Sequence, residues 1–180
     1  ADLDIQIICP LHGPVLTENL GYYLDTYNTW SSYQPEDGGI TIAYASVYGH
    51  LKAAVEELAA ALEARGQKVS VFDLARDDMA EAVEDAFRYD RLVLASITYQ
   101  GEIFPFMSTF IHTLAEHAYQ NRTVALVEAG SWAPAAAKVM TKELEGMRDI
   151  TLAQNKVTVL GSLNDASRAQ IEALADELSK

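Results

Sequence analysis

From residue 40 onward, short β-branched apolar runs alternate with longer segments whose apolar positions recur every three or four residues. The runs occupy 40–45, 69–72, 92–95, 124–127 and 157–160. Runs this short and this continuously apolar predict strands buried on both faces, as in a parallel sheet. Helical periodicity predicts helices over 51–65, 78–89, 105–119, 134–147 and 167–178. Asp78 and Glu81 have the spacing of a capping box. Gly66 stands where the first of these helices should stop.

Five strands, each followed by a helix, define an α/β chain: a three-layer fold with a five-stranded parallel sheet and helices on both faces. Right-handed crossovers make the flavodoxin-like order 2-1-3-4-5 the leading arrangement. Residues 1–39 read as a helical extension ahead of this unit, which covers 40–180. Ile5, Ile7 and Ile8 form a strand-like run, followed by a Cys-Pro-Leu-His-Gly-Pro turn. Leu20, Tyr23, Leu24, Tyr27 and Trp30 then recur at helical spacing, an aromatic stripe expected to pack into the core. A turn-rich stretch over 34–39 reads as a linker.

Ligands of such sheets bind outside the carboxyl ends of the strands, where the strand order switches. The loops after strands 1, 3 and 4 converge there, and each is unusual. The first holds Ser46, Val47, Tyr48, Gly49, His50 and Leu51. It offers a hydroxyl, a glycine tolerant of positive φ, and consecutive main-chain N–H groups at a helix start, a set that suits a phosphate. It lacks the Lys of a Walker loop and the spacing of a dinucleotide fingerprint, which disfavours ATP and NAD. An ordinary strand-to-helix turn is the alternative.

The second loop runs from Ser96 to Pro105 and carries Thr98, Tyr99, Gln100, Gly101 and Glu102. It is long for a strand-to-helix connection, and its aromatic ring and amides suit a flat heteroaromatic ligand. A solvated loop is the alternative. The third holds Gly130, Ser131, Trp132 and Ala133 ahead of Pro134. Trp132 there is either a plug on the core or a wall against a ring. Together the three loops point to flavin mononucleotide (FMN).

Composition narrows the class further. The 180 residues, 49% of them apolar, suffice for one core and an extension. With 26 acidic and 13 basic residues the net charge is −13, which argues against nucleic acid or an anionic membrane as partner. No apolar run approaches the ~20 residues that span a bilayer. No charged-then-apolar leader opens the chain, so a cytoplasmic location is expected. The single Cys9 excludes an internal disulfide and fits a reducing compartment. Residue 1 is not Met, and 2–8 reads like the middle of a domain, so an excised fragment is expected.

On these residues the chain resembles the carboxyl-terminal part of the flavodiiron proteins, or A-type flavoproteins. Tyr44-Ala-Ser-Val-Tyr-Gly is similar to their phosphate loop. Ser96-Ile-Thr with Glu102-Ile-Phe-Pro is similar to their second FMN loop, and Ser131-Trp132 with Lys138 to the third. Asp4-Ile-Gln-Ile-Ile-Cys-Pro-Leu-His-Gly-Pro-Val is similar to the last segment of their metallo-β-lactamase-like domain, in which the His of His-Gly-Pro is an iron ligand. The resemblance carries that role onto His12 in a full-length parent only, because one imidazole cannot hold a diiron site. Without the resemblance, His12 reads as a surface side chain in a turn. His112 and His117 read as surface residues.

The resemblance implies an electron relay. FMN would take electrons from a rubredoxin or a flavin reductase and pass them to a diiron site, absent from this chain, that reduces dioxygen to water or nitric oxide to nitrous oxide. A homodimer is implied for the full-length protein. In two respects this chain departs from the family: flavodoxin-type loops usually end in a hydroxyl pair, whereas here His50-Leu51 follows Gly49, and Pro134 removes a backbone donor where the family often has Gly. Anion binding would then rest on main-chain amides and Ser46. The alternative reading is a stand-alone flavodoxin-type electron carrier, which the acidic surface suits. A phospho-receiver domain is disfavoured, since strand 1 ends in Ala-Tyr-Ala-Ser rather than in carboxylates.

Overall fold

A computed structural model describes residues 3–180. Residues 1 and 2, including the non-Met start and the first position of the 2–8 run, lie outside the described residues. The elements follow in the order α1 (Leu20–Ser31), β1 (Asp37–Ala45), α2 (His50–Ala64), β2 (Val69–Asp73), α3 (Met79–Arg88), β3 (Tyr89–Tyr99), β4 (Glu102–Ile103), α4 (Pro105–Glu116), β5 (Arg122–Gly130), α5 (Ala136–Leu144), β6 (Ile150–Leu152), β7 (Val157–Leu160) and α6 (Asp165–Leu178).

The sheet runs β2-β1-β3-β5, and its last position is shared. β6 pairs with the start of β5 and β7 with its end, all parallel. This is the expected 2-1-3-4-5 order with the fifth strand broken in two.

Alternation along the strands divides the core. Ile40, Ile42, Val93, Ala95, Ala125, Val127, Val157 and Val159 point to the face covered by α2 and α6. Ala43, Leu92, Leu94, Val124 and Leu126 point to the face covered by α3, α4 and α5. With both faces covered, β1 is buried without interruption from Gly39 to Ala45.

Several expectations are corrected. The aromatic stripe of α1 is not core: no residue of the helix is buried, and Tyr27 and Trp30 remain 66% and 57% exposed. Both sheet faces are already occupied by other helices, so α1 has no apolar layer left to join. Trp30 instead donates its indole N–H to Glu36 at 2.6 Å.

Ile5, Ile7 and Ile8 form no strand. Ile8 makes a single bridge to Leu16, since no neighbouring strand extends the pairing. At α3, Asp78 caps through the amide of Ala80 at 2.8 Å, but the reciprocal capping box lies at Asn164 and Ser167, opening α6. α4 ends early because Ala118 turns into the left-handed region at φ 57°.

Candidate functional site

The carboxyl ends of β1, β3, β5 and β7 meet around one cleft. Ser46, Tyr48, His50, Leu51, Ile97, Thr98, Ala129, Gly130, Ser131 and Gly161 line its 170 Å³. Seven of these are among the site residues expected from the sequence. Sequence reasoning missed Ile97, Ala129 and Gly161. Gly161 could have been found from topology, because it follows β7 at the same sheet edge. Its φ of 74° is the left-handed region that favours glycine, and it lets its amide reach Gly130 O at 3.1 Å.

The first loop ends at Gly49, whose φ of 86° turns the chain into α2. Gly49 is the residue before the helix and carries no side-chain cap. The amides of Val47, Tyr48, Gly49, His50 and Leu51 find no acceptor among the described residues, whereas Lys52 donates to Ser46 Oγ at 3.3 Å. Five consecutive N–H groups at the positive end of a 15-residue helix form an anion cradle. The Leu51 side chain is not part of it and packs in the core beneath α2. Tyr48 and His50 are exposed.

The start of α5 is the opposite case. Thr98 Oγ1 accepts the amides of Ala135 at 2.8 Å and Ala136 at 3.2 Å, and Glu128 accepts that of Ala137 at 2.9 Å. These side chains saturate the N–H groups that an anion would need, and Glu128 adds a buried negative charge. Burial pulls its carboxyl up, but hydrogen bonds from Lys156, the Ala137 amide and Thr158 outweigh that and hold it below the usual carboxylate range. Of the starts of α2 and α5, that of α2 is open to a phosphate and that of α5 is not.

The second loop is not the long connection expected. β3 continues to Tyr99, and Gln100 and Gly101, at φ 54° and 80°, return the chain as β4. Two consecutive positive φ values make the tight turn that matches strand twist. Tyr99 is 42% exposed and meets Phe104 edge to face at 5.3 Å. Gly101 and Glu102 line a separate groove against Lys138 and Lys142 of α5.

In the third loop Trp132 is 90% exposed, which overturns the reading of a core plug. Ala133 beside it is exposed as well. A Cβ on Gly130 would lie 3.1 Å from Pro134 Cα, so a side chain here would require the Pro134 backbone to give by a few tenths of an ångström.

At the end of β1, burial and the charges of Asp73, Glu56 and Asp77 push the Tyr44 hydroxyl up to about 12. His12 sits in the irregular segment before α1 and is exposed. Among the described residues no three His, Cys, Asp or Glu side chains are grouped to hold a metal. No described helix is long and apolar enough to cross a membrane. His112 and His117 lie on the outer side of α4 and just past it, bonded to Glu116 and to Thr113 O.

A doubly wound parallel sheet with a row of open amides after its first strand and aromatic side chains on the neighbouring loops defines an open α/β protein of the kind that binds ligands at the carboxyl edge of its strands. The flavodoxin domain family model matches residues 41–164. The chain belongs to that family.

Rubredoxin oxygen:oxidoreductase from Desulfovibrio gigas superposes with a TM-score of 0.88 at 18% identity, over 97% of this chain and 43% of that one. A flavodoxin from the domain Archaea superposes with a TM-score of 0.68 at 17% identity, over 78% of this chain and 96% of its own. In sequence, a nitric oxide reductase of Moorella thermoacetica is 23% identical over 88% of this chain and 39% of its length. The chain thus spans less than half of the two reductases it matches.

Proposed function

We propose that this chain is the FMN-binding electron-transfer domain of a flavodiiron protein. The observation that carries the reading is the contrast between two helix starts at one sheet edge, α2 with five free amides and α5 with its amides already accepted by Thr98 and Glu128. The phosphate of FMN would be held by the amides of Val47, Tyr48, Gly49, His50 and Leu51, with the Ser46 hydroxyl at their edge. The cleft is smaller than the ~300 Å³ at which drug-sized pockets begin, so the isoalloxazine would lie across its mouth, between Tyr99 and Trp132. When bound, FMN supplies the capacity to take up and pass on electrons. The protein's part is to orient it and to shield one face of it.

The larger assignment rests on the extension. A lone flavodoxin accounts for 78% of this chain, whereas a flavodiiron protein of Giardia intestinalis accounts for 97%. This favours the relay over the stand-alone carrier. On this reading residues 1–39 are the end of a metallo-β-lactamase-like domain with its linker helix, and His12 is an iron ligand in the complete protein. Electrons would come from a rubredoxin or a flavin reductase in the cytoplasm and go to dioxygen or nitric oxide at the diiron site, the full protein working as a homodimer.

The test is optical. Titration of the purified protein with FMN should shift the flavin absorption bands and quench tryptophan emission, and Trp132→Ala should weaken binding. Riboflavin, lacking the phosphate, should bind at least about tenfold more weakly. Absence of any flavin binding would remove the reading, and equal affinity for riboflavin would remove the phosphate cradle.

A further inference from the structure

Trp132 stands at the tip of a very short loop whose two ends are both fixed. At the near end, Gly130 lies against Pro134, so closely that an added methyl group would sit 3.1 Å from Pro134 Cα. At the far end, the amides of Ala135 and Ala136 point into a single oxygen, Thr98 Oγ1, at 2.8 and 3.2 Å. Thr98 belongs to a different loop. It pairs with Ile103 across the β3–β4 hairpin and directly precedes Tyr99. One hydroxyl therefore ties the hairpin bearing Tyr99 to the loop bearing Trp132.

We infer that Thr98 is a positioning residue: it sets the separation of Tyr99 and Trp132, and so the width of the slot for a flat ring. This rests on the reading of the site given above.

The oxygen is well suited to the task. A hydroxyl has two lone pairs and can accept two N–H groups at once. The Thr98 backbone is fixed by strand pairing, and its β-branched side chain has restricted χ1 freedom. The helix start it closes would otherwise present Ala135 and Ala136 as free donors next to the cleft. Closing it keeps the Trp132 loop from drifting and leaves the start of α2, not that of α5, open to an anion. Glu128 continues the seal one residue further, at Ala137.

The experiment uses Trp30→Phe protein, in which Trp132 is the remaining indole of the two in the chain. Thr98→Val keeps the shape and removes the oxygen, and Thr98→Ser keeps the oxygen. Without flavin, the fluorescence anisotropy of Trp132 should decay faster in Thr98→Val and be unchanged in Thr98→Ser.

With flavin, Thr98→Val should weaken FMN and riboflavin by the same factor, about tenfold. The ring slot loosens while the phosphate cradle is untouched, so the preference for FMN persists. Thr98→Ser should stay within about threefold of the parent. In wild-type protein, hydrogen exchange should be slower at the Ala135 and Ala136 amides than at those of Tyr48 and Gly49, a measurement independent of whether Thr98→Val folds.

Wild-type anisotropy and flavin affinity in Thr98→Val would overturn the inference. So would equal damage in Thr98→Ser, or unprotected amides at Ala135 and Ala136. If the parent bound no flavin, the functional reading would fall, while anisotropy and exchange would still decide whether Thr98 holds the loop.

Discussion

Lys156 Nζ lies 2.8 Å from Oε1 of Glu128, joining the segment before β7 to a carboxylate buried against the start of α5. Lys156 is itself half exposed, so the pair closes the sheet edge with one partner dry and one wet. The same carboxylate takes the Ala137 amide and the Thr158 hydroxyl, so three elements depend on its charge.

Glu128→Gln should therefore cost about 1–3 kcal/mol at neutral pH, the range for upsetting buried hydrogen bonds. The sign of the pH dependence follows from the lowered carboxyl. A folded-state value below the unfolded one adds stability that is complete above about pH 4.3 and is lost as pH falls through the folded value. Urea unfolding of wild type and Glu128→Gln should give curves that converge in acid. A constant gap from neutral to acid pH would contradict this.

Gly49→Ala tests the cradle directly. Nothing lies within 4 Å of where the new methyl would sit, so the cost comes from φ +86° alone. About 1 kcal/mol of stability should be lost. If the backbone shifts to relieve that strain, the amide row is re-aimed. FMN affinity should then drop about tenfold while riboflavin affinity hardly moves. Isothermal titration with the two flavins reads the difference.

Leu51→Ala should separate core from ligand. The side chain is 1% exposed and packs between α2 and the sheet. A cavity there should cost about 2–5 kcal/mol in chemical denaturation. Below the unfolding transition, FMN should still bind, because only the main chain of Leu51 faces the cradle.

Arg122 makes a different kind of anchor. It is buried, and its guanidinium donates to the carbonyls of Tyr33, Phe87, Tyr89, Gln120 and Asn121. Burial lowers its pKa, against the opposing influence of Tyr119 and Asp90. Tyr33 lies in the connection between α1 and β1, so one side chain bolts that connection to the amino-terminal edge of the sheet. Arg122→Ala should cost about 2–4 kcal/mol. It should also speed exchange at the Glu36 amide, which bonds Arg88 O. Arg122→Lys should not rescue either effect, since an ammonium cannot reproduce the planar fork.

What could be read from residues alone was whatever periodicity and chain direction decide locally. The apolar runs at 40–45 and 92–95 announced strands buried on both faces, and their regular alternation with helical stripes implied the parallel order. The position of Ser46 to Leu51 behind the first run implied an anion site, because a strand end and a helix start were adjacent in the chain. Trp132 was placed on the right loop but left with two readings, since nothing local says whether an indole turns inward. The stripe of Tyr23, Tyr27 and Trp30 misled for a related reason: helical spacing shows that a face is apolar, not that anything remains to cover it.

The sequence by itself determined the α/β alternation, the strand order and the loops that share one edge, because those follow from side-chain period and crossover handedness. The tertiary structure alone decided which helix start stays open. Thr98 and Glu128 reach Ala135, Ala136 and Ala137 across separations of 37, 38 and 9 residues. Contacts of that kind leave no periodic trace in a sequence; they exist only once the strands lie side by side.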